Sequence, residues 1–464
     1  MSTSLLDNPV LAQELPDLLP MLDWITDPER VARLSYDHAR FSPILKRDLA
    51  NKKAALVVRP RSTDEIRQVV SVCANSRIPI TIRGGGTGNT GQSVPLHGGI
   101  ILDLSGYNAF CWTRGLTGRA QAGIRLEDFN FHARKKLLEL PWVTANHPNA
   151  TLGGFFNSHH GAEESIHFNA GQAAESILGI LVMTVEKTPQ LIELRGHEAM
   201  RLHKMCGTVG IVLEIEVGLA PFVPWLECIT KFEAYDQALI FASSLTQSKE
   251  LSQQRIAVLA APIPNLMMPL THNFNDHEHA VLLILSPHLK DKFQQLLSSC
   301  GGQWVDRKQS ETLHTSQSSL LSLMGHQTSN QVLKLHKSLL CIECHFKASI
   351  HLKQIKNIQR HLQDEVFMHT ELFCKPSGEL IVMGLRLVQF STEARLNEIM
   401  AIFRSHGVHV FNPHVYIVED GKQNNLDPAV VQNERTLRPD GLAQSRKTAL
   451  MGQSRSAKLK LWID

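Results

Sequence analysis

The sequence predicts a fold of class α+β, built from two or three packed units, and three observations lead to this. The chain has 464 residues, more than a single hydrophobic core usually organises. Residues 53–219 alternate between short apolar runs, which are typical of strands, and amphipathic runs, which are typical of helices. The segment PFVPW (residues 221–225) then contains two prolines that interrupt both patterns, which indicates a domain boundary.

Composition and charge narrow the class of protein. With 43% hydrophobic and 20% charged residues the chain is ordinary for a globular protein. The net charge of +3 is spread without a Lys/Arg block, so no nucleic-acid partner is expected. No apolar run approaches the roughly 18 residues of a membrane-spanning helix, and the first residues lack a secretory pattern. The 8 cysteines form no dense framework, so we expect a cytoplasmic protein.

The elements before the boundary follow from local patterns. Ser62 and Glu65 form a capping box, which predicts the start of a helix whose apolar face follows at helical spacing. A second helix is predicted over residues 126–140. Runs rich in branched residues predict strands at residues 55–58, 78–83, 99–105, 177–186 and 211–218.

Beyond the boundary, helices and short strands are mixed. Helices are predicted at residues 235–246 and 290–298, strands at 280–285 and 378–383, and a helix followed by a strand over 392–410. Residues 303–337 are rich in Ser, Gln, Thr and His, which predicts a surface excursion or a mobile loop. CIECH (residues 341–345) formally matches a haem-attachment or redox-pair signature, but its alternation favours a plain strand.

One glycine-rich loop, RGGGTGNTGQSVPLHGG (residues 83–99), carries the strongest chemical signal. It contains a formal GxGxxG match, but Pro95 and the two glycines that follow it forbid the helix that a Rossmann dinucleotide site requires. Glycines in such density are tolerated where the backbone takes positive φ or a ligand approaches it closely. Consecutive exposed amides bind phosphate oxygens, and the loop adds the hydroxyls of Thr87 and Thr90. The loop is therefore predicted to bind an anion; its flanking strands disfavour a flexible linker.

Four ordered segments carry a family resemblance. They are residues 57–105, which include the loop, AGI (122–124), HPNATLGGFFNSHHGAEES (147–165) and GTVGIVLEIEVGLAP (207–221). Together they resemble the FAD-binding domain of the vanillyl-alcohol oxidase / p-cresol methylhydroxylase (PCMH) superfamily, and more narrowly the FAD-linked oxidoreductases of glycolate oxidase and D-lactate dehydrogenase type. The resemblance implies a two-subdomain PCMH-type FAD-binding domain at residues 51–224, after an N-terminal helical extension at 1–50. It also implies an α+β substrate (cap) domain at 225–410 and a C-terminal segment, 411–464, that returns to pack near the flavin.

The resemblance implies FAD as the cofactor. Covalent attachment in this superfamily often uses a histidine in or near the loop, whereas His97 here lies beyond its phosphate-binding part, so non-covalent FAD is expected. The residues expected at the cofactor, on the loop and the two downstream segments, are Arg83, Gly84, Gly85, Gly86, Thr87, Gly88, Asn89, Thr90, Gly91, Thr151, Gly153, Gly154, Asn157, Ser158, Gly210, Ile211 and Val212.

The expected reaction is removal of a hydride from a small hydroxylated substrate, a 2-hydroxy acid or an alcohol, followed by electron transfer to an acceptor that the sequence does not identify. The metal-binding His-x-Gly-Asp-Gly-Asn element of the hydroxy-acid enzymes is not found, so no metal is expected. Two alternatives remain open: a non-catalytic FAD-binding subunit of a larger dehydrogenase, and a nucleotide-binding protein unrelated to flavin. A homodimer or a partner subunit is compatible with either.

Four residues late in the chain are candidates for the substrate side. Such a reaction needs a proton acceptor, commonly His, and a group that holds an acidic substrate. His414 and Tyr416 lie in FNPHVYIVEDG (residues 411–421), which resembles a C-terminal element of a bacterial subgroup of these FAD proteins. Arg386 could hold a carboxylate through two hydrogen bonds, and His369 shares a strand face with Glu371. For each histidine the alternative is a surface or core role.

Overall fold

The structure is a computed structural model that describes residues 12–142, 149–158, 176–205, 207, 210–247, 253–286, 290–309, 319–374 and 379–416. Within these ranges the chain forms three main β-sheets with helices packed on them. Two sheets belong to an N-terminal unit (residues 12–221), and the largest sheet belongs to a C-terminal unit (residues 226–411). No helix in the described ranges is long and apolar enough to cross a membrane.

The first sheet has four strands: β1 (Trp24–Ile25), β2 (Leu56–Val58), β3 (Ile80–Arg83) and β4 (Ile100–Asp103). Their order in the sheet is β1-β2-β4-β3, and β2, β4 and β3 are parallel. Ser62 caps α4 as the capping box predicts, because its Oγ accepts a hydrogen bond from the N–H of Glu65 at 3.2 Å. The N-terminal extension is more than helical, since β1 adds an antiparallel edge strand to β2. The elements are α1 (Leu15–Leu18), β1 (Trp24–Ile25), α2 (Pro28–Leu34), a 3-10 turn (His38–Phe41), α3 (Pro43–Asp48), β2 (Leu56–Val58), α4 (Thr63–Ser76), β3 (Ile80–Arg83), β4 (Ile100–Asp103) and a 3-10 turn (Leu104–Gly106).

The second sheet has five antiparallel strands in the order β5-β6-β10-β8-β9, and β7 pairs separately with β11. The helix predicted over residues 126–140 is too long: it ends at Arg134, Leu137 takes a left-handed conformation with φ 56°, and the chain then forms β7. The elements are β5 (Phe110–Arg114), β6 (Thr117–Gln121), α5 (Leu126–Arg134), β7 (Leu138–Glu139), α6 (Leu152–Asn157), β8 (Ile177–Met183), β9 (Leu191–Arg195), α7 (Gly196–Met200), β10 (Ile211–Gly218) and β11 (Ala220–Pro221).

The two N-terminal sheets share a core. Ile211 and Leu213 of β10 and Met183 of β8 pack in one cluster with Ile100 and Leu102 of β4. The opposite residues of β10, such as Val212 and Ile215, pack instead under α5 and α6. Alternate side chains of a strand point to opposite faces, and the register shift between Val212 and Glu214 places Ile215 on the same face as Val212.

The C-terminal unit is a nine-stranded antiparallel sheet in the order β15-β12-β14-β13-β18-β19-β16-β20, with β17 paired to β19. The elements are β12 (Leu226–Phe232), α8 (Tyr235–Gln247), β13 (Gln253–Leu259), α9 (Ile263–Leu266), a 3-10 turn (Thr271–Asn273), β14 (His279–Leu285), α10 (Lys290–Ser299), β15 (Gln303–Gln309), a 3-10 turn (Leu320–Leu323), α11 (His326–Leu335), β16 (Leu339–Phe346), α12 (His351–Leu362), a 3-10 turn (Gln363–Glu365), β17 (Val366–Phe367), β18 (His369–Cys374), β19 (Leu380–Gln389), α13 (Glu393–Ser405) and β20 (His409–Phe411).

Both faces of this sheet are covered. Helices α8, α12 and α13 pack on one face, and α11 packs on the other. Strand β16 shows why CIECH alternates: Cys344 faces the three-helix side, whereas Cys341 packs on the α11 side. The strand interpretation of CIECH therefore agrees with the structure.

The prediction of a loop over residues 303–337 was wrong in its described part. Strand β15, a 3-10 turn and α11 occupy most of that stretch. On α11, Val332 is buried in the apolar core, and the polar Ser329 and Asn330 are buried too. Polar side chains that line an internal cleft have the same composition as a solvent-exposed loop, which is why the sequence pattern misled.

Candidate functional site

The glycine loop lies directly against a second glycine segment, residues 149–158. A side chain on Gly84 would overlap the Oγ1 of Thr151, and one on Gly85 would overlap the backbone oxygen of Asn149. Gly86 and Gly91 take positive φ values of 64° and 78°. These are the backbone conditions that require glycine, because a Cβ atom at these positions would overlap protein atoms. The two facing segments therefore form a surface of bare backbone, which we call the cradle.

The second segment is held by its own hydrogen bonds. The Oγ1 of Thr151 accepts from the N–H of Gly154 at 3.2 Å, which caps α6. The N–H of Gly153 donates to the backbone oxygen of Ala122 at 2.7 Å, and a Cβ there would lie 2.7 Å from the Cβ of Ala122. The Asn157 amide donates to the Gly153 oxygen at 3.0 Å, and the N–H of Ser158 donates to the Phe155 oxygen at 3.2 Å. The loop, AGI and this segment thus meet in one place.

Residues 210–212 lie in the same N-terminal unit, where Ile211 begins the buried strand β10. Gly210 has φ 94°, and Ile211 and Val212 are buried on opposite faces of β10. Arg83 lies under the loop: its Nη1 donates to the backbone oxygen of Tyr36 at 2.9 Å, and burial lowers the pKa of its guanidinium. In the structure, therefore, Arg83 anchors the loop to the N-terminal segment.

A solvent-open cleft lies between the two units. Asn89 of the glycine loop contributes to one side of it, and α11 and β16 of the C-terminal unit contribute to the other. The residues that line it are His38, Phe41, Ser42, Asn89, His326, Ser329, Asn330, Leu333, Cys341, Glu343, Pro413 and His414. The cleft therefore combines the predicted anion loop, the predicted residue His414 and two elements that the sequence did not connect to either.

His414 lies buried in the cleft wall. Its Nδ1 is 2.9 Å from the Oγ of Ser42, and its backbone N–H donates to the Asn412 side chain at 3.0 Å. Burial lowers the pKa of the imidazole to about 4, although a backbone hydrogen bond with Cys341 acts in the opposite direction. The ring is therefore neutral near pH 7.

Tyr416 ends the described chain beside the glycine loop. It packs against a small cluster that includes Leu45, Leu49 and Val94, and its Cβ would lie 3.7 Å from a side chain on Gly91. The segment after β20 thus returns to the N-terminal unit. The rest of the predicted C-terminal segment, residues 417–464, lies outside the described residues.

Comparison with known proteins decides the class of this unit. Residues 54–188 match the family model described as FAD binding domain. Residues 54–188 are an FAD binding domain. The match covers the glycine loop and the segment with Thr151, and FAD as the predicted cofactor is confirmed. The bare backbone of the cradle between the two glycine segments fits such a group.

Curated relatives match about a third of the chain. The glycolate oxidase subunit GlcD of Bacillus subtilis is 28% identical over 176 residues, which is 36% of this chain and 37% of that protein. A probable mitochondrial D-2-hydroxyglutarate dehydrogenase of Oryza sativa subsp. indica is 27% identical over 171 residues, which is 35% of this chain and 30% of that protein. The match thus spans about a third of the length of these relatives.

Similarity of fold extends much further than similarity of sequence. A solved structure of alkyldihydroxyacetonephosphate synthase superposes with a TM-score of 0.67 at 15% identity, covering 95% of this chain and 85% of that one. The chain therefore shares that fold beyond the FAD binding domain, including the C-terminal unit. The mixture of helices and sheets in the structure agrees with the predicted fold class α+β.

Arg386 and His369 lie outside the cleft, in the interior of the C-terminal unit. Arg386 is fully buried, and its Nη1 donates to the His369 backbone oxygen at 2.8 Å and to the Oγ1 of Thr370 at 3.0 Å. Its guanidinium also lies 4.7 Å from the ring centre of Phe346, on the three-helix face. The structure therefore does not bring Arg386 to His414 and the FAD binding domain.

His369 belongs to a buried charge network behind the cleft. Its Nε2 lies 2.8 Å from the Oε1 of Glu371, whose other oxygen accepts from the Nε of Arg255 at 2.8 Å. Burial raises the pKa of Glu371, but Arg255 and His369 outweigh this and hold it at about 2. Oε1 also accepts from the backbone N–H of Gly325 at 2.8 Å, directly before α11. The network thus holds the start of the helix that lines the cleft.

Sequence reasoning missed His38, Ser42 and Asn330. The Nδ1 of His38 lies 3.1 Å from the amide nitrogen of Asn330, and burial, assisted by the charge of Lys334, lowers the pKa of His38 to about 4. These two partners are 292 residues apart along the chain, and Ser42 and His414 are 372 apart. No local pattern connects residues at such separations.

Proposed function

We propose that this protein is an FAD-dependent oxidoreductase that removes a hydride from a small hydroxylated substrate, a 2-hydroxy acid or an alcohol, bound in the interdomain cleft. One observation carries the proposal: Asn89 of the FAD-binding loop and His414 line the same cleft. A substrate in that cleft would contact both the unit that holds FAD and the C-terminal unit. Concave sites at domain interfaces are common places for small-molecule chemistry.

The residues that would hold FAD are those of the two facing glycine segments. The loop backbone from Gly84 to Gly91 would bind the pyrophosphate through its amides, and Thr151 with the α6 glycines would form the opposite wall. When bound, FAD supplies the acceptor for the hydride. The expected attachment is non-covalent.

The chain's own residues would bind and orient the substrate. Neutral His414 can hydrogen-bond a substrate hydroxyl, and Asn330 and Ser329 add polar groups from α11. Phe41 and Leu333 contribute apolar wall that excludes water. Substrate contact by Tyr416, which lies at the glycine loop, stays a prediction. Substrate contact by Arg386 and His369, which lie in the buried interior, also stays a prediction.

The activities for which these relatives are named, glycolate oxidase and D-2-hydroxyglutarate dehydrogenase, support a hydroxy acid as the first substrate class to test. The 8 cysteines of the sequence form no dense framework, which supports the cytoplasmic location that we propose.

Anaerobic flavin bleaching tests the proposal. The purified protein is expected to be yellow, to release FAD on acid precipitation, and to lose its visible flavin absorbance with one member of a panel. The panel is glycolate, D-lactate, D-2-hydroxyglutarate and the uncharged alcohols ethylene glycol and propane-1,2-diol.

The other outcomes separate the alternatives. A yellow protein that no compound bleaches would favour a non-catalytic FAD-binding subunit. A colourless protein that gains no flavin spectrum when incubated with FAD would contradict the proposal altogether.

A further inference from the structure

A short N-terminal segment, residues 36–42, connects all the parts of the cleft; we call it the N-terminal strap. On one side it holds the glycine loop. The backbone oxygen of Tyr36 accepts from Arg83 at 2.9 Å, and the Oδ2 of Asp37 accepts from the N–H of Ser93 at 3.3 Å. Both bonds join the strap to residues of the loop that binds FAD.

On its other side the strap reaches the C-terminal unit. His38 contacts Asn330 of α11 at 3.1 Å, Phe41 packs against the α11 face of the large sheet, and Ser42 contacts His414 at 2.9 Å. His38, Phe41 and Ser42 all line the cleft. The strap is therefore a wall of the site as well as a link between the units.

The hydrogen bonds of Ser42 define which way its proton points. Its Oγ caps α3 by accepting from the N–H of Leu45 at 3.1 Å, and the residue is only 7% exposed. If the Nδ1 of His414 carried a proton, the Oγ would accept twice and its own hydrogen would be left buried without a partner. A buried donor without an acceptor destabilises the folded state, so the Ser42 hydroxyl donates to the Nδ1 of His414.

We propose, on the basis of the proposed function, that Ser42 is a positioning residue that holds His414 in the neutral Nε2–H tautomer at the cleft wall. With Nδ1 engaged by Ser42, the proton lies on Nε2, the nitrogen that is left for the backbone hydrogen bond with Cys341. The neutral ring is thereby fixed in one orientation at the cleft wall, and the hydroxyl proton that a substrate releases together with its hydride passes to solvent in the open cleft. The N-terminal strap, which the sequence predicted to be part of an extension, thus supplies the residue that orients His414.

The surroundings of the ring agree with a neutral donor. Burial lowers the pKa of His414 to about 4, and the backbone hydrogen bond with Cys341 raises it, as a bond donated by the imidazole does. A tautomer is set by the partner of the other ring nitrogen, and Ser42 is that partner.

The test compares S42A and S42T with a matched control, S62A. Ser62 caps α4 as Ser42 caps α3, so S62A removes an equivalent helix cap away from the cleft. Protein with ¹⁵N-labelled imidazole rings is examined at pH 7 by long-range ¹H–¹⁵N NMR, and the signals lost in H414N identify His414. Flavin reduction is followed in parallel with the panel compound that bleaches the wild type fastest.

We expect a single Nε2–H tautomer in wild type, S42T and S62A, and a mixture of tautomers in S42A. S42A should bind FAD normally but reduce it at least about tenfold more slowly, as misplacement of a reacting group predicts. S42T should stay within about twofold of wild type, since its hydroxyl is retained.

The inference is overturned if wild-type His414 is an Nδ1–H tautomer or an imidazolium at pH 7. This measurement uses the wild type, so it does not depend on whether any variant folds. It is also overturned if S42A keeps both the tautomer and the rate of the wild type. If no panel compound bleaches the wild type, the proposed function fails, while the NMR result still decides the role of Ser42.

Discussion

Gly84 and Thr151 lie so close that a side chain on Gly84 would overlap the Oγ1 of Thr151. The two residues are far apart in the chain, one in the loop after β3 and the other capping α6. Their contact brings the two glycine segments of the FAD binding domain face to face. Because neither segment has room for a further Cβ atom here, a substitution at this contact must push the two segments apart.

The first prediction concerns Gly86→Val. Gly86 has φ 64°, and a Cβ there would overlap the guanidinium of Arg83, which anchors the loop. We expect this variant to lose bound FAD, measured as the visible flavin absorbance that remains after desalting. Gly98→Val is the matched control: Gly98 has φ 68°, but nothing lies within 4 Å of its Cβ position. Equal FAD loss in both variants would mean that backbone strain, and not the cradle, is responsible.

The second prediction concerns His414→Ala. The imidazole lines the cleft, so its removal should leave FAD bound but slow the reduction of the flavin by substrate on the order of a hundredfold. Stopped-flow absorbance under anaerobic conditions measures this rate. The control is His409→Ala, an exposed histidine on β20 only five residues earlier. Wild-type reduction kinetics in His414→Ala would remove this residue from the site.

The third prediction concerns the buried charge pair of Arg255 and Glu371. Both side chains are essentially inaccessible, so Glu371→Gln removes the buried carboxylate that pairs with Arg255 and His369 and should lower the free energy of unfolding by about 3–5 kcal/mol. Urea unfolding measures it. Glu365→Gln, which breaks the solvent-exposed pair with Arg395, should change stability little.

The same pair predicts an acid dependence. The folded pKa of Glu371 is about 2, below the roughly 4.3 of an unfolded glutamate. The stabilisation that Glu371 contributes to the folded state is therefore fully present above about pH 4.3 and is lost as the pH falls towards 2. Unfolding measured across that window should be less dependent on pH in Glu371→Gln than in the wild type. An unchanged slope would show that this carboxylate is not held in its charged form.

The fourth prediction concerns His203, which packs beside the rings of Phe155 and Phe156. Burial lowers its pKa to about 4. The unfolded chain therefore binds a proton on this residue between about pH 6.5 and 4 while the folded chain does not, so the free energy of unfolding falls as the pH drops through that range. His203→Phe should flatten this dependence, and His197→Phe, at an exposed position of α7, should not. Urea unfolding at several pH values distinguishes them.

Features that depend on near neighbours were predictable from the sequence. The Ser62–Glu65 cap, the strand alternation of CIECH and the glycine loop each rest on contacts within a few residues or on the conformational freedom of glycine. The family resemblance added the FAD binding domain, because the order of four such local segments is itself specific.

Features that depend on distant partners were not predictable. The helix predicted over residues 126–140 stops early because Leu138–Glu139 pairs with Ala220–Pro221. The polar composition of α11 suggested a loop, although its polar side chains are buried against a cleft. In each case a contact made across the fold outweighs the local preference.

The cleft shows the same division. The sequence marked His414 and the glycine loop separately, since each belongs to a recognisable local motif. That they share a cavity with His38, Ser42 and Asn330 follows from contacts spanning 292 and 372 residues. Such contacts form only when the packing of two hydrophobic cores brings remote backbone together, and a one-dimensional pattern contains no information about that packing.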